Sequence, residues 1–199
     1  MMNKKLMILV FALAAISCQD PKNNQQNNRD TVNINEQYYI ETGDKIVAES
    51  FKSLSSNLMS AMKAGGVKNA AGFCHIEAQP LTDSLSNHFN TEIHRVALKY
   101  RNPNNALNRM DKVVFEDYLS TKQLQPQLET SQDKITYYKP ILLAKPCLKC
   151  HGAIGEDISE EDYAYLTELY PDDRAVGFKE GDLRGLWRIS FNANSTRTE

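Results

Sequence analysis

The sequence predicts one α+β domain. Three observations carry that expectation: a long run with apolar residues at steps of three and four, several short stretches that alternate with a two-residue period, and a length of 199 residues, enough for one hydrophobic core. No internal repeat is visible.

The first element reads as an export signal. Lys4 and Lys5 form a short basic region, and the apolar run after them, residues 6–16, is too short to span a bilayer as a helix. Ala15-Ile16-Ser17-Cys18-Gln19 then sets small residues ahead of a cysteine, which is similar to the bacterial lipoprotein processing box. Residues 1–17 are therefore read as a lipoprotein signal peptide and Cys18 as the lipidated residue. The expected location is the cell envelope, with the protein lipid-anchored on the periplasmic side or at the outer membrane. Residues 18–35, rich in Asn and Gln, hold almost nothing apolar and are expected to stay disordered as a tether, leaving 36–199 as the folded domain.

Within that domain, residues 44–63 place Val47, Phe51, Leu54, Leu58 and Met62 on one helical stripe, which Gly65-Gly66 ends. A shorter helix is expected over 67–78. Residues 92–100 alternate as a strand, with Val96, Leu98 and Tyr100 on one face, and Asn102-Pro103-Asn104-Asn105 ends it. Residues 111–119 are expected to be helical, and 127–129 and 134–139 to pair as a hairpin across Thr130-Ser131-Gln132-Asp133. Ser159 caps a helix to residue 168, with Glu160, Glu161 and Asp162 in its first turn, where negative charge suits the helix dipole. A strand over 186–191 closes the domain.

The formal net charge is −2, and becomes −4 if Lys4 and Lys5 leave with the signal, with no Lys/Arg block elsewhere. Nucleic acid is not an expected partner.

Cys147-Leu148-Lys149-Cys150-His151 has the spacing of c-type haem attachment, in which two thiols form thioethers with the haem vinyl groups. Cysteines three apart on a helical turn lie on one face, and the next residue can offer its imidazole to the iron. A zinc site would need two more ligands, and adjacent Cys150 and His151 suit one small tetrahedral ion poorly. A redox disulfide would give His151 no role. The reading is one covalent haem c, held by Cys147 and Cys150, with His151 as an axial ligand. For the other axial position the chain offers His75, His88, His94, Met59, Met62, Met110 and Cys74. A lone thiol in an oxidising compartment suggests either a use or burial, which makes Cys74 the most informative of these.

Several stretches together look like one family: Ala71-Gly72-Phe73-Cys74-His75-Ile76-Glu77-Ala78-Gln79-Pro80, Leu98-Lys99-Tyr100-Arg101-Asn102-Pro103-Asn104-Asn105-Ala106, Pro140-Ile141, Leu169-Tyr170-Pro171-Asp172-Asp173-Arg174-Ala175-Val176-Gly177-Phe178, and Gly181-Asp182-Leu183-Arg184-Gly185. From about residue 46 to residue 191 the chain resembles the single-haem, PAS-like c-type domains. These occur alone in the envelope and as extracytoplasmic haem sensors of histidine kinases and chemoreceptors. The resemblance implies a PAS-like antiparallel sheet flanked by helices, with haem held against it, and implies that Cys74 is the distal iron ligand. One departure is Gln79, which stands where many members have proline directly after the alanine matching Ala78, and it leaves His75 as the rival.

Arg101 and Arg184 suit haem propionates, which favour the guanidinium fork, and equally suit ordinary turn or surface positions. Tyr137, Tyr138 and Trp187 suit packing on the porphyrin or an aromatic core. Iron closed on both sides argues against oxygenase or peroxidase chemistry, and neither a Gly-rich phosphate loop nor a Ser/His/Asp arrangement is apparent, so a non-catalytic protein is expected. The two function classes left are a one-electron carrier of the envelope and a redox or diatomic-gas sensor. Each needs a redox or signalling protein as partner.

Overall fold

The computed structural model describes residues 24–131 and 134–192, with side chains from residue 36. The signal segment and Cys18 lie outside the described residues. The chain divides into two units, Met1–Asn35 and Glu36–Glu199, and the fold below belongs to the second.

Helix α1 (Asn24–Ile76) begins inside the Asn/Gln-rich stretch read as a tether, because a helix already nucleated by packing extends outward at little cost per residue. Its packed face also differs from the expected stripe. Val47 and Leu54 are buried as expected, but Phe51 is 61% exposed, and the face is completed by Tyr39, Gly43, Ile46 and Ser50. Small residues win here because they let the helix lie close on the sheet: a Cβ at Gly43 would stand 2.4 Å from the Tyr137 ring. The stop expected at Gly65-Gly66 is a break, with Gly66 in the left-handed region at φ 66°, after which residues 67–76 turn helical again. Asn69 Nδ2 spans the break by donating to the Ala61 carbonyl at 2.9 Å.

Helix α2 (Ala78–Phe89) has no counterpart in the sequence expectation beyond its first residue. Its inner face includes Thr82 and Ser86, weak helix formers whose hydroxyls donate back to the Ala78 and Thr82 carbonyls at 2.7 and 3.0 Å. Strand β1 (Glu92–Val96) is shorter than expected. Residues beyond it leave the ladder: the Ala97 N–H donates to the Asn105 carbonyl at 2.9 Å, and Leu98 is 52% exposed. Helix α3 (Arg109–Thr121) starts at a capping box formed by Asn108 and Asp111. The hairpin of β2 (Gln127–Thr130) and β3 (Lys134–Leu142) forms as the alternation predicts. One helical turn, α4 (Leu148–His151), precedes α5 (Glu160–Leu169), where Ser159 Oγ accepts from the Asp162 N–H at 3.1 Å. Strand β4 (Leu183–Asn192) ends the fold.

The sheet order is β1-β4-β3-β2, antiparallel throughout. Side-chain alternation sends Ile93, Tyr137, Trp187 and Ile189 to one face, with the buried residues of α1 and α2, and Val96, Tyr138 and Leu186 to the other, with Val114 and Phe115 of α3. Burying each such side chain contributes about 1.5–3 kcal/mol. The last turns of α1 pack on α5 through Ala71, Ile158 and Leu166. The architecture is the expected α+β one, an antiparallel sheet flanked by helices with a long N-terminal helix. Among the described residues no helix is long and apolar enough to cross a membrane.

Candidate functional site

Lys145–Cys147 forms a 3₁₀ turn that runs into α4, so Cys147, Cys150 and His151 share one short helical stretch. It stops at Gly152, where a Cβ would meet Asp157 Oδ2 at 2.4 Å. That carboxylate accepts from the Ala153 N–H at 3.0 Å and fixes the exit of the turn.

A second segment, residues 173–178, grips the motif from outside. His151 Nδ1 lies 2.8 Å from the Ala175 carbonyl oxygen. A carbonyl can only accept, so Nδ1 carries the proton and Nε2 keeps its lone pair, bonded to no described residue. The Phe178 N–H donates to the His151 carbonyl at 3.0 Å and the Gly177 N–H to the Gly152 carbonyl at 2.8 Å, with Gly177 at φ +73° supplying the turn. Burial, reinforced by the Arg101 and Arg184 charges, holds His151 well below the usual imidazole value despite the Ala175 bond, so the ring is neutral.

Arg101 ties the two segments together. Its Nε donates to Asp173 Oδ2 at 3.1 Å, and its Nη2 donates to the Cys150 carbonyl at 2.5 Å and the Ala175 carbonyl at 3.4 Å. Asp173 has no exposed side-chain surface, and its Oδ1 accepts from the Ala175 N–H at 2.8 Å. Arg184 donates to the Lys99 carbonyl at 2.8 Å and stacks 5.4 Å from the Phe178 ring centroid; Lys99 lies over the same ring and donates to the Val176 carbonyl. Burial and the Arg101 charge lower the Arg184 pKa to about 10.

The described cysteines, Cys74, Cys147 and Cys150, are free thiols. Cys147 is exposed and the other two are half-buried. Burial pushes the Cys150 thiol up to about 11 against the pull of Arg101, and Cys74 adds to the rise. Burial also raises Cys74, opposed by Arg95 and Arg101. Cys74, near the end of α1, is therefore close enough to the Cys-Leu-Lys-Cys-His turn for its charge to act on Cys150. His75 is exposed and packs edge-on against Tyr170 at 5.1 Å. Of the remaining alternatives, His88, Met59 and Met110 are exposed, Met62 is half-buried on α1 before the Gly65-Gly66 break, and His94 pairs with Arg188 across the sheet, on the face opposite Arg95. Tyr137 and Tyr138 are core residues, their hydroxyls donating to Asp44 and Asp111 at 2.7 and 2.9 Å.

Asp173 and the Ala175 carbonyl shape the site, although the sequence reading gave them no role beyond their place in a family stretch. An Asp-Arg-Ala run gives no sign of which backbone oxygen will meet a ring. A cleft of about 380 Å3 lined by Lys99, Leu119, Lys122, Leu142 and Phe178 among others shares only that edge with the site, so donor chemistry and not cavity size locates it.

The donor set is chemically coherent: thiols on one helical turn, a neutral imidazole with its tautomer fixed, a further thiol whose charge is felt at Cys150, and guanidinium groups acting on both. That set fits a c-type haem, with thioether sulfurs, one imidazole ligand and one sulfur ligand for iron. The family model described as Tll0287-like matches residues 14–192. Among solved structures, that of the cyanobacterial haem protein Tll0287 matches with a TM-score of 0.57 and 26% identity, covering 74% of this chain and 92% of that one. No curated protein matches.

Proposed function

Because the chain belongs to the Tll0287-like family, we propose that it is a haem-binding protein of the envelope, carrying one haem c on Cys147 and Cys150 with His151 and Cys74 as axial ligands. On this reading Cys18 is lipidated, and the protein is a one-electron carrier that docks with a redox partner. The observation that carries the proposal is the state of His151: neutral, half-buried, with Nδ1 given to Ala175 and Nε2 left for a metal. The solved relative, named a haem protein, supports the cofactor class.

The cofactor supplies a reversible one-electron change at iron. The chain's residues do the rest. Ala175 orients the imidazole, and its hydrogen bond raises the basicity of Nε2. Arg101 and Asp173 keep the Cys150 carbonyl and the Ala175 strip in register. Cys74, as thiolate, favours the ferric state. An arrangement tied from both sides suits electron transfer, which needs little rearrangement.

The haem is tested by acid extraction and mass spectrometry: it should stay on the wild-type chain and leave Cys147→Ala/Cys150→Ala, and free haem in the wild type would overturn the attachment. Cys74→Ala should change the low-spin optical spectrum; an unchanged spectrum rejects Cys74 as ligand. Lipidation should add an acyl mass to wild type that Cys18→Ala lacks.

One observation favours a sensor instead. The break at Gly65-Gly66 stands shortly before the Cys74 turn, where a helix could swing if its sulfur were displaced. A redox titration with optical spectra, repeated under carbon monoxide, separates the two. A carrier keeps its ligand set on reduction and does not take up the gas.

A further inference from the structure

We propose that the cleft between the end of α3 and the loop before β4 binds an amphipathic anion, an apolar chain that ends in a carboxylate. The cleft has a volume of about 380 Å3, the size of a small-molecule site, and its apolar walls are Leu119, Leu124, Leu142, Leu183 and Phe178. Leu119, Leu124 and Leu142 are 42%, 44% and 42% exposed. One exposed leucine means little. These three come from α3, from the segment after it and from the end of β3, and together they line one hollow, an apolar patch that gains from being covered.

The hollow is held open by its own framework. Tyr118, 1% exposed, donates its hydroxyl to the Gln125 carbonyl at 2.9 Å and so pins the segment that carries Lys122 and Leu124. The loop before β4 is tied to the end of β3, where the Gly181 N–H donates to the Leu143 carbonyl at 2.7 Å and the Leu143 N–H to the Asp182 carbonyl at 3.0 Å. Walls fixed in this way spare a ligand the cost of ordering them.

Charge selects the ligand. The ionisable lining residues Lys99, Lys122 and Asp182 are not equally free. Asp182 Oδ2 already accepts from the Lys179 N–H at 2.7 Å. Lys99 donates to the Val176 carbonyl, which leaves two of its three N–H donors. The Lys122 ammonium has no hydrogen bond or ion pair to any described residue, although its backbone holds φ +58°, a conformation that usually selects glycine. An apolar hollow with a free cation and an occupied carboxylate is complementary to a negative head on an apolar body. The site stands beside the Cys-Leu-Lys-Cys-His turn, since Phe178 meets His151 edge-on at 6.5 Å and Leu148 packs on the cluster to which Phe178 belongs. It requires no assumption about the haem.

The test is calorimetric titration of the full chain with decanoate, below its micelle concentration, against decyltrimethylammonium, which has the same tail and the opposite charge. Decanoate should bind at one saturable site and decyltrimethylammonium should not. Lys122→Gly removes the cation yet suits the backbone, so it should fold as wild type does by circular dichroism and bind decanoate roughly tenfold more weakly. Leu124→Gln and Leu142→Gln should weaken it as well, whereas Val113→Gln, at a residue 57% exposed outside the cleft, should not. Decanoate that does not saturate, or equal binding of the two probes, overturns the proposal. So does an affinity unchanged by Lys122→Gly, or one lowered as much by Val113→Gln as by the leucine variants.

Discussion

Asp173 is the most exacting test of how the site is held. Its carboxylate has no exposed surface and accepts from Arg101 Nε at 3.1 Å and from the Ala175 N–H at 2.8 Å, while Arg101 is 12% exposed. Replacing it with alanine leaves a guanidinium in low-dielectric surroundings without its counter-charge. Breaking a buried pair from one side costs about 3–5 kcal/mol. Arg101 keeps its bonds to the Cys150 and Ala175 carbonyls, so the lower end, about 3 kcal/mol, applies. For a domain of this size about 1 kcal/mol moves the melting temperature by about 2–4 °C, giving a fall of roughly 6–12 °C for Asp173→Ala. Asp173→Asn keeps an oxygen for the Ala175 N–H and should fall less. Thermal unfolding followed by far-ultraviolet circular dichroism measures both. If Asp173→Ala melts within about 2 °C of wild type, the Arg101 tie is not what holds the strip.

Gly43→Ala and Gly66→Ala should each destabilise by about 1–3 kcal/mol in urea titration, for opposite reasons. At Gly43 the added Cβ meets the Tyr137 ring at 2.4 Å, whereas at Gly66 nothing lies within 4 Å and the strain is in the φ of +66°. A neutral Gly66→Ala would mean that the break in α1 is not fixed. A pH effect is expected at Asp44. Burial alone would raise its pKa, but hydrogen bonds from Lys139 and Tyr137 and the Lys139 charge outweigh it, leaving the carboxyl below its usual value. The folded state then holds its proton less tightly than the unfolded chain, so the contribution is present above the ordinary carboxylate pKa and is lost as pH falls through the folded one. Urea midpoints at about pH 5 and about pH 3 should converge more in Asp44→Asn than in wild type, and an equal loss in both would reject the linkage.

The parts legible in the sequence were those with a local cause. The Ser159 cap, the hairpin around residues 130–134 and the Cys-Leu-Lys-Cys-His turn each depend on residues within a few positions of one another. What stayed hidden depends on a partner far along the chain. The inward face of α1 is decided by Gly43 meeting Tyr137, so Phe51, apolar and correctly spaced, is left outside. Helix α2 has Thr82 on its buried side, which apolar periodicity does not reward. The role of Ala175 belongs to a carbonyl oxygen, and no side chain announces it.

The charge around the site also bears on the proposed redox role. The Arg101 and Arg95 charges both act on Arg184, and so does the fully buried carboxylate Asp173, which is ion-paired to Arg101. On the proposed reading the Cys74 thiolate stabilises ferric iron and draws the potential down, whereas guanidinium charges in a partly desolvated pocket favour the ferrous state and draw it up. The potential then reflects the thiolate against these guanidinium charges. Arg184→Gln should therefore lower the midpoint potential without touching either axial ligand, a change that redox titration reads while the optical spectrum of the oxidised protein stays as in wild type. A potential that does not move would mean that solvent already screens this charge.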